Sequence, residues 1–121
     1  MDLTSERETL ATRLRGITDL RRVYTQAPEA IPEVPCAYLL PGEIVPSGFD
    51  AWDYRLSVQV LVSKAADAER GQAKLDALLA LVVTAVHADP RASIVVPWQY
   101  GGFEHGGVSF LGARFDVEVL G

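Results

Sequence analysis

Glu104-His105 is the one place where a carboxylate and an imidazole are neighbours in this chain, and it lies between two glycine pairs, Gly101-Gly102 and Gly106-Gly107. An acid beside a histidine can move protons or hold a metal, but either task needs a third partner set at a defined spacing. None is there, and flanking glycines would hold the pair loosely, so the simpler reading is an exposed polar hairpin tip. Cys36 follows Pro35 with no base or cationic group nearby in sequence, which reads as a small buried apolar residue rather than a nucleophile. Ser109, in Gly107-Val108-Ser109-Phe110, lacks the closing glycine of a nucleophile elbow. The glycine pairs do not read as a phosphate loop, because no lysine follows and the flanks look like strands. His87, close to the end of a long helical pattern, complements the negative end of that helix. The residues therefore predict no catalytic, cofactor or metal site.

Aromatic residues stand out instead. Trp98, Tyr100 and Phe103 fall close together in the glycine-rich segment, and Phe49 and Trp52 lie in another stretch rich in turn residues. Core packing accounts for some of them. Tryptophan and tyrosine in loops also serve as anchors in protein–protein contacts, and both readings stand at this stage.

The elements that position these residues follow from periodicity. Ser5 and Glu8 have the form of a capping box, and Leu10, Leu14 and Ile17 recur at helical spacing, which predicts a short helix from about Glu6 to Arg15 with a charged outer side. Arg22–Thr25 reads as a short strand, and Pro28, Pro32 and Pro35 impose an extended run after it. Cys36–Leu40 reads as a strand stopped by Pro41-Gly42, with a loop from Pro41 to about Ala51. Tyr54, Leu56, Val58, Val60 and Val62 alternate with polar residues, Leu61 alone being out of phase, which predicts a strand covered on one face. Ala65 to about His87 predicts the longest helix. Ala68, Leu75, Leu78, Leu79, Val82 and Val86 form its apolar stripe, and Ala66, Ala73, Ala77, Ala80 and Thr84 form a small-residue back. That back is either helix propensity alone or a surface that lets a neighbouring subunit come close. Ser93–Pro97 and Val108–Leu120 read as a final strand pair around a Trp98–Gly107 hairpin loop. A bulge near Gly112-Ala113 would reconcile Val108 and Phe110 with the opposite phase of Phe115, Val117 and Val119. The expectation is a single α+β domain, an antiparallel or mixed sheet of about four to five strands against two helices.

The totals bound the function classes. The chain has 121 residues, 49% of them apolar, and a net charge of −5. Such a length holds one ordinary core, and scattered lysines and arginines, Arg21-Arg22 apart, argue against a phosphate-gripping surface. A single cysteine excludes a disulfide framework. The opening Met1–Glu6 has no signal-peptide pattern, and Ala77–Val83, the longest apolar run, is too short to span a membrane.

The order of pieces resembles the tail terminator and neck proteins of long-tailed bacteriophages, from about Thr4 to the C-terminus. The resemblance is carried by a helix, a proline-rich stretch, and the strand and loop Ala37-Tyr38-Leu39-Leu40-Pro41-Gly42-Glu43. It continues through the alternating strand Tyr54–Val62, a helix containing Ala73-Lys74-Leu75-Asp76-Ala77-Leu78-Leu79, and the final strand Phe110–Val117. What it implies is a structural virion protein without catalytic residues or cofactors. Such a protein forms a hexameric ring that caps the head-proximal end of the tail tube, stops its growth and meets the head connector or stopper protein. DNA then passes through the lumen without specific recognition, an arrangement that an acidic balance suits. The expected partners are further copies of the chain, the major tail tube protein and the head connector, and no membrane. The interface residues expected on this reading are Phe49, Trp52, Trp98, Tyr100, Phe103, Glu104 and His105 in the two loops, with Ala73, Ala77 and Ala80 on the helix back. Another neck role, such as a head-completion or connector adaptor, fits the same pieces. A ligand-binding domain would need a polar cluster in a pocket, and a regulatory module would form a simple dimer.

Overall fold

The computed structural model describes residues 3–29, 31, 33–46, 52–63 and 68–120. In chain order the elements are α1 (Leu3–Arg15), β1 (Arg22–Tyr24), β2 (Cys36–Pro46), β3 (Trp52–Ser63), α2 (Ala68–His87), β4 (Ala92–His105) and β5 (Val108–Leu120). The strands form one five-stranded sheet in the order β1-β2-β3-β5-β4. β1 pairs with β2 in parallel and every other pairing is antiparallel, so the expected α+β domain has a mixed sheet.

Both helices lie on one face of that sheet. Leu10, Ala11 and Leu14 of α1 and Leu75, Leu78, Leu79, Val82 and Val86 of α2 join Leu39, Leu56, Val58, Val60, Val62, Phe115, Val117 and Val119 in the main core. The alternation of β3 and the helical stripe of α2 therefore do what their spacing predicts. Each Leu, Val or Phe side chain of this core taken fully from water contributes about 1.5–3 kcal/mol.

A second, smaller cluster occupies the other face at one end of the sheet. It contains Cys36, Tyr38, Leu61 and Phe110, with Tyr24, Ile31, Val34, Leu40 and Phe103 packed around it. This cluster explains two irregularities of the sequence at once. Leu61 is out of phase with its strand because it serves the second core. Phe110 is out of phase with Phe115 for the same reason, so the expected bulge near Gly112-Ala113 is absent. The β3–β5 register runs unbroken from Asp53↔Leu120 to Ser63↔Phe110. Gly112 is needed there for close approach: a Cβ would come within 2.6 Å of the Val60 carbonyl oxygen and 2.9 Å of the Phe103 ring.

Other expectations also change. α1 begins at Leu3, so Ser5 lies inside the helix and cannot cap it, and Glu6 is 2% exposed instead of solvated. β2 does not stop at Pro41-Gly42. A register shift between Leu40 and Glu43 absorbs these residues, and the strand continues to Pro46. The Trp98–Gly107 segment is likewise no loop. β4 runs through Gly101-Gly102 to His105, and only Gly106 (φ 58°) and Gly107 (φ 79°) form the turn. Two consecutive positive φ angles make the two-residue turn whose twist suits a hairpin, which is why glycines stand there. α2 is described from Ala68, and Ala65 and Ala66 lie outside the described residues, as do Phe49 and the end of the predicted loop at Ala51.

Candidate functional site

The residues expected to act together are distributed over three places. Trp52 opens β3 and is 53% exposed, and Ile44, 47% exposed, lies on the same face of the neighbouring strand. Ala73, Ala77 and Ala80 are exposed on the outer side of α2, beside Leu81. Tyr100 joins this second group, because its hydroxyl donates to Asp76 Oδ1 at 3.1 Å across the β4–α2 boundary. Asp76 is held from within the helix as well, accepting from Gln72 Nε2 at 2.9 Å. Ala77 also borders an open depression of about 360 Å³ with Thr18, Asp19, Arg21, Pro35 and Lys74.

The third place is the tip of the β4–β5 hairpin. Its residues beyond the Ser63↔Phe110 pair overhang β3 and curl over the second core. Tyr38 Oη and His105 Nε2 lie 2.8 Å apart, and the two rings meet edge to face with centroids at 5.4 Å. Strands β3 and β5 intervene between β2 and β4 in the sheet, so this contact is possible only because the hairpin bends across the face. His105 is thus not the loose, exposed histidine expected from its glycine flanks; Glu104 is exposed. Burial raises the Tyr38 phenol above its usual range, with the Cys36 thiol as a further cause. Cys36 is fully buried, and burial pushes its thiol up to about 11, which removes it as a nucleophile at neutral pH. Phe103 packs on this second core, whereas Tyr100 faces α2, so the aromatic segment serves two surfaces. Trp98 lies in β4 at a register shift, between Val96 and Gln99. Phe49 is outside the described residues.

Alternation sends neighbouring residues of a strand to opposite faces, and once β4 is read as a strand the split of Tyr100 from Phe103 follows. The sequence reading missed Ile44, Leu81, Val95, Val108 and Leu120, each more than 40% exposed. Leu81 could have been found, since it falls between the small residues of the α2 back. Val95 had no signal, because a register shift between Ile94 and Val96 sets its environment.

Two charged clusters complete the surface chemistry. On the helix-covered side Arg91 lies 3.4 Å from Glu6 and 3.2 Å from Asp89, and Arg13 lies 3.7 Å from Asp89. The Arg91 backbone N–H donates to Asp89 Oδ1 at 2.9 Å. These bonds hold the Asp89 carboxyl below its usual range, the backbone bond being the largest cause. The cluster ties α1 to the turn after α2. On the bare face Arg55 bridges Glu118 at 3.0 Å and Glu43 at 3.7 Å, and Ser57 Oγ donates to Asp116 Oδ1 at 2.6 Å. These are cross-strand register neighbours on exposed or half-buried positions. No group of metal-ligating side chains occurs among the described residues. No helix among them is long and apolar enough to cross a membrane.

No protein-family model matches the chain, and no curated protein matches it in sequence.

Proposed function

We propose that this chain is a structural ring subunit, a tail terminator in the neck of a long-tailed bacteriophage. In that role it caps the tail tube, meets the head connector and lets DNA pass. The observation that carries the reading is the placement of exposed apolar residues in separate patches on different elements. Trp52 and Ile44 form one, on the β2–β3 hairpin, and Leu81 with the Ala73, Ala77 and Ala80 back of α2 forms another. A head-to-tail ring needs two unlike surfaces per subunit, one for each neighbour. The small residues of α2 suit close approach of a neighbour's hairpin, and the acidic balance suits a lumen that must not retain DNA. The resemblance of the sequence to that family is the other support for the reading. The proposal assigns the chain no reaction and no cofactor.

Native mass measurement and negative-stain imaging of the purified chain, alone and with the tail tube protein, test it. The expected result is a closed ring of about six copies, disrupted by Leu81→Asp with the fold intact. A chain that stays monomeric under both conditions overturns the proposal.

A further inference from the structure

The two edges of the sheet differ in a way that specifies a partner. β1 is an edge of three residues, Arg22–Tyr24, followed by a proline-rich run that starts at Pro28. β4 is an edge of 14 residues whose one strand neighbour among the described residues is β5. Its first half is protected in the manner of natural edges: the register shifts between Ile94 and Val96 and again between Val96 and Gln99, and Pro97 falls in the second shift. Its second half has none of these devices. From Gln99↔Arg114 to His105↔Val108 the register is continuous over seven pairs. Gln99-Tyr100-Gly101-Gly102-Phe103-Glu104-His105 contains no proline, lysine or arginine. Along these seven residues the alternate backbone donors and acceptors that do not bond β5 form a template for another strand.

We propose that a second copy of this chain pairs here, Gln99–His105 lying antiparallel to itself about a two-fold axis through Gly102. Three observations select this occupant. β1 of another copy is too short to cover the segment, whereas the segment matches its own length. The register centred on Gly102 sets Gln99 opposite His105 and keeps the two Glu104 carboxylates apart, while Tyr100 and Phe103 keep their contacts with Asp76 and the second core of their own chain. A register centred on Glu104 would set two carboxylates against each other, which is unfavourable. The contact is isologous and uses a different element from the patches assigned to the ring, so it joins copies whether or not a ring forms.

Disulfide trapping of the full chain tests the pairing and its register. Gly102 is exposed, and a Cβ there meets nothing nearer than the Phe110 carbonyl oxygen at 4.0 Å, so Gly102→Cys keeps the fold. Directly opposed residues of an antiparallel pair have Cα atoms about 4.5–5.5 Å apart, within disulfide reach. Mild oxidation of Gly102→Cys is expected to give a covalent dimer, while Gln99→Cys, also exposed but far from its own copy, gives at least tenfold less. Cys36 is buried and does not compete. Gly102→Lys, which sets two cations on the axis, is expected to weaken dimerisation at least about tenfold in sedimentation, with the circular dichroism of the wild type. Equal cross-linking of both cysteine variants, no cross-linking of either, or a mass unaffected by Gly102→Lys overturns the pairing. A dimer trapped through Gly102 with no closed ring would defeat the ring proposal and leave this one standing.

Discussion

The two faces of one sheet are held by different means. On the face under the helices, burial does the work: Phe115, Leu56, Val58, Val60 and Val62 are at most 1% exposed beneath α1 and α2. On the other face a small cluster around Tyr38, Leu61 and Phe110 lies at one end, and a ladder of charged and polar pairs occupies the rest. The first face explains why the chain folds. The second adds a smaller cluster and a hairpin bent back across the face through Tyr38 and His105.

Truncating one phenylalanine on each face gives the largest contrast. Phe115→Ala leaves a void in the main core and is expected to cost about 4 kcal/mol. Phe110, 7% exposed and packed in the smaller cluster, is expected to cost about half as much on the same scale when changed to Ala. Urea titration of both variants measures this, and equal losses would mean that the two clusters form one cooperative core.

Charge sharpens the comparison at intermediate size. Arg91 faces Glu6, which is 2% exposed, so Arg91→Met leaves a buried carboxylate without its cation. Because Arg91 itself is 37% exposed, the cost is expected near 2 kcal/mol, below that of a fully buried pair. Arg55→Met, on the bare face, is expected to leave the melting temperature unchanged, since exposed pairs contribute little. The same cluster sets an acid limb. The Asp89 carboxyl is held below its ordinary value of 3.8, so its contribution is complete above that value and is lost as pH falls through the lowered one. Asp89→Asn is expected to flatten that limb of the stability–pH profile, and an unchanged limb would assign it to other carboxylates.

The legibility of the chain divides along the same line. The covered face was readable because burial imposes period two on β3 and a helical stripe on α2, and these patterns survive in the residue types. Leu61 and Phe110 looked like errors of phase until the second core supplied a reason for them. Glycine and proline were misread for a physical cause: Pro41-Gly42 and Gly101-Gly102 signal turns locally, but pairing with β3 and β5 carries the strands through them. The Glu6–Arg91 contact joins residues 85 positions apart, and no local spacing encodes it. Of the residues named as interface candidates, the alanine back and Trp52 are exposed, whereas the aromatic segment divides between two faces.

The smallest expected effect tests whether the bare face holds the hairpin or only borders it. Tyr38→Phe keeps the ring, and so keeps its packing against Leu61 and its edge contact with His105, but removes the hydroxyl that lies 2.8 Å from His105 Nε2. A part-buried hydrogen bond of this kind contributes about 1 kcal/mol. Because the bond joins β2 to a hairpin tip that overhangs β3, its loss is expected to appear first as local opening. Amide exchange should accelerate by about fivefold at Val108 to Phe110, consistent with that energy, while amides of Leu56 to Val60 change little. Uniform acceleration would make the two faces a single unfolding unit. No change at all would show that packing alone, through Phe103 and Phe110, holds the tip across the sheet.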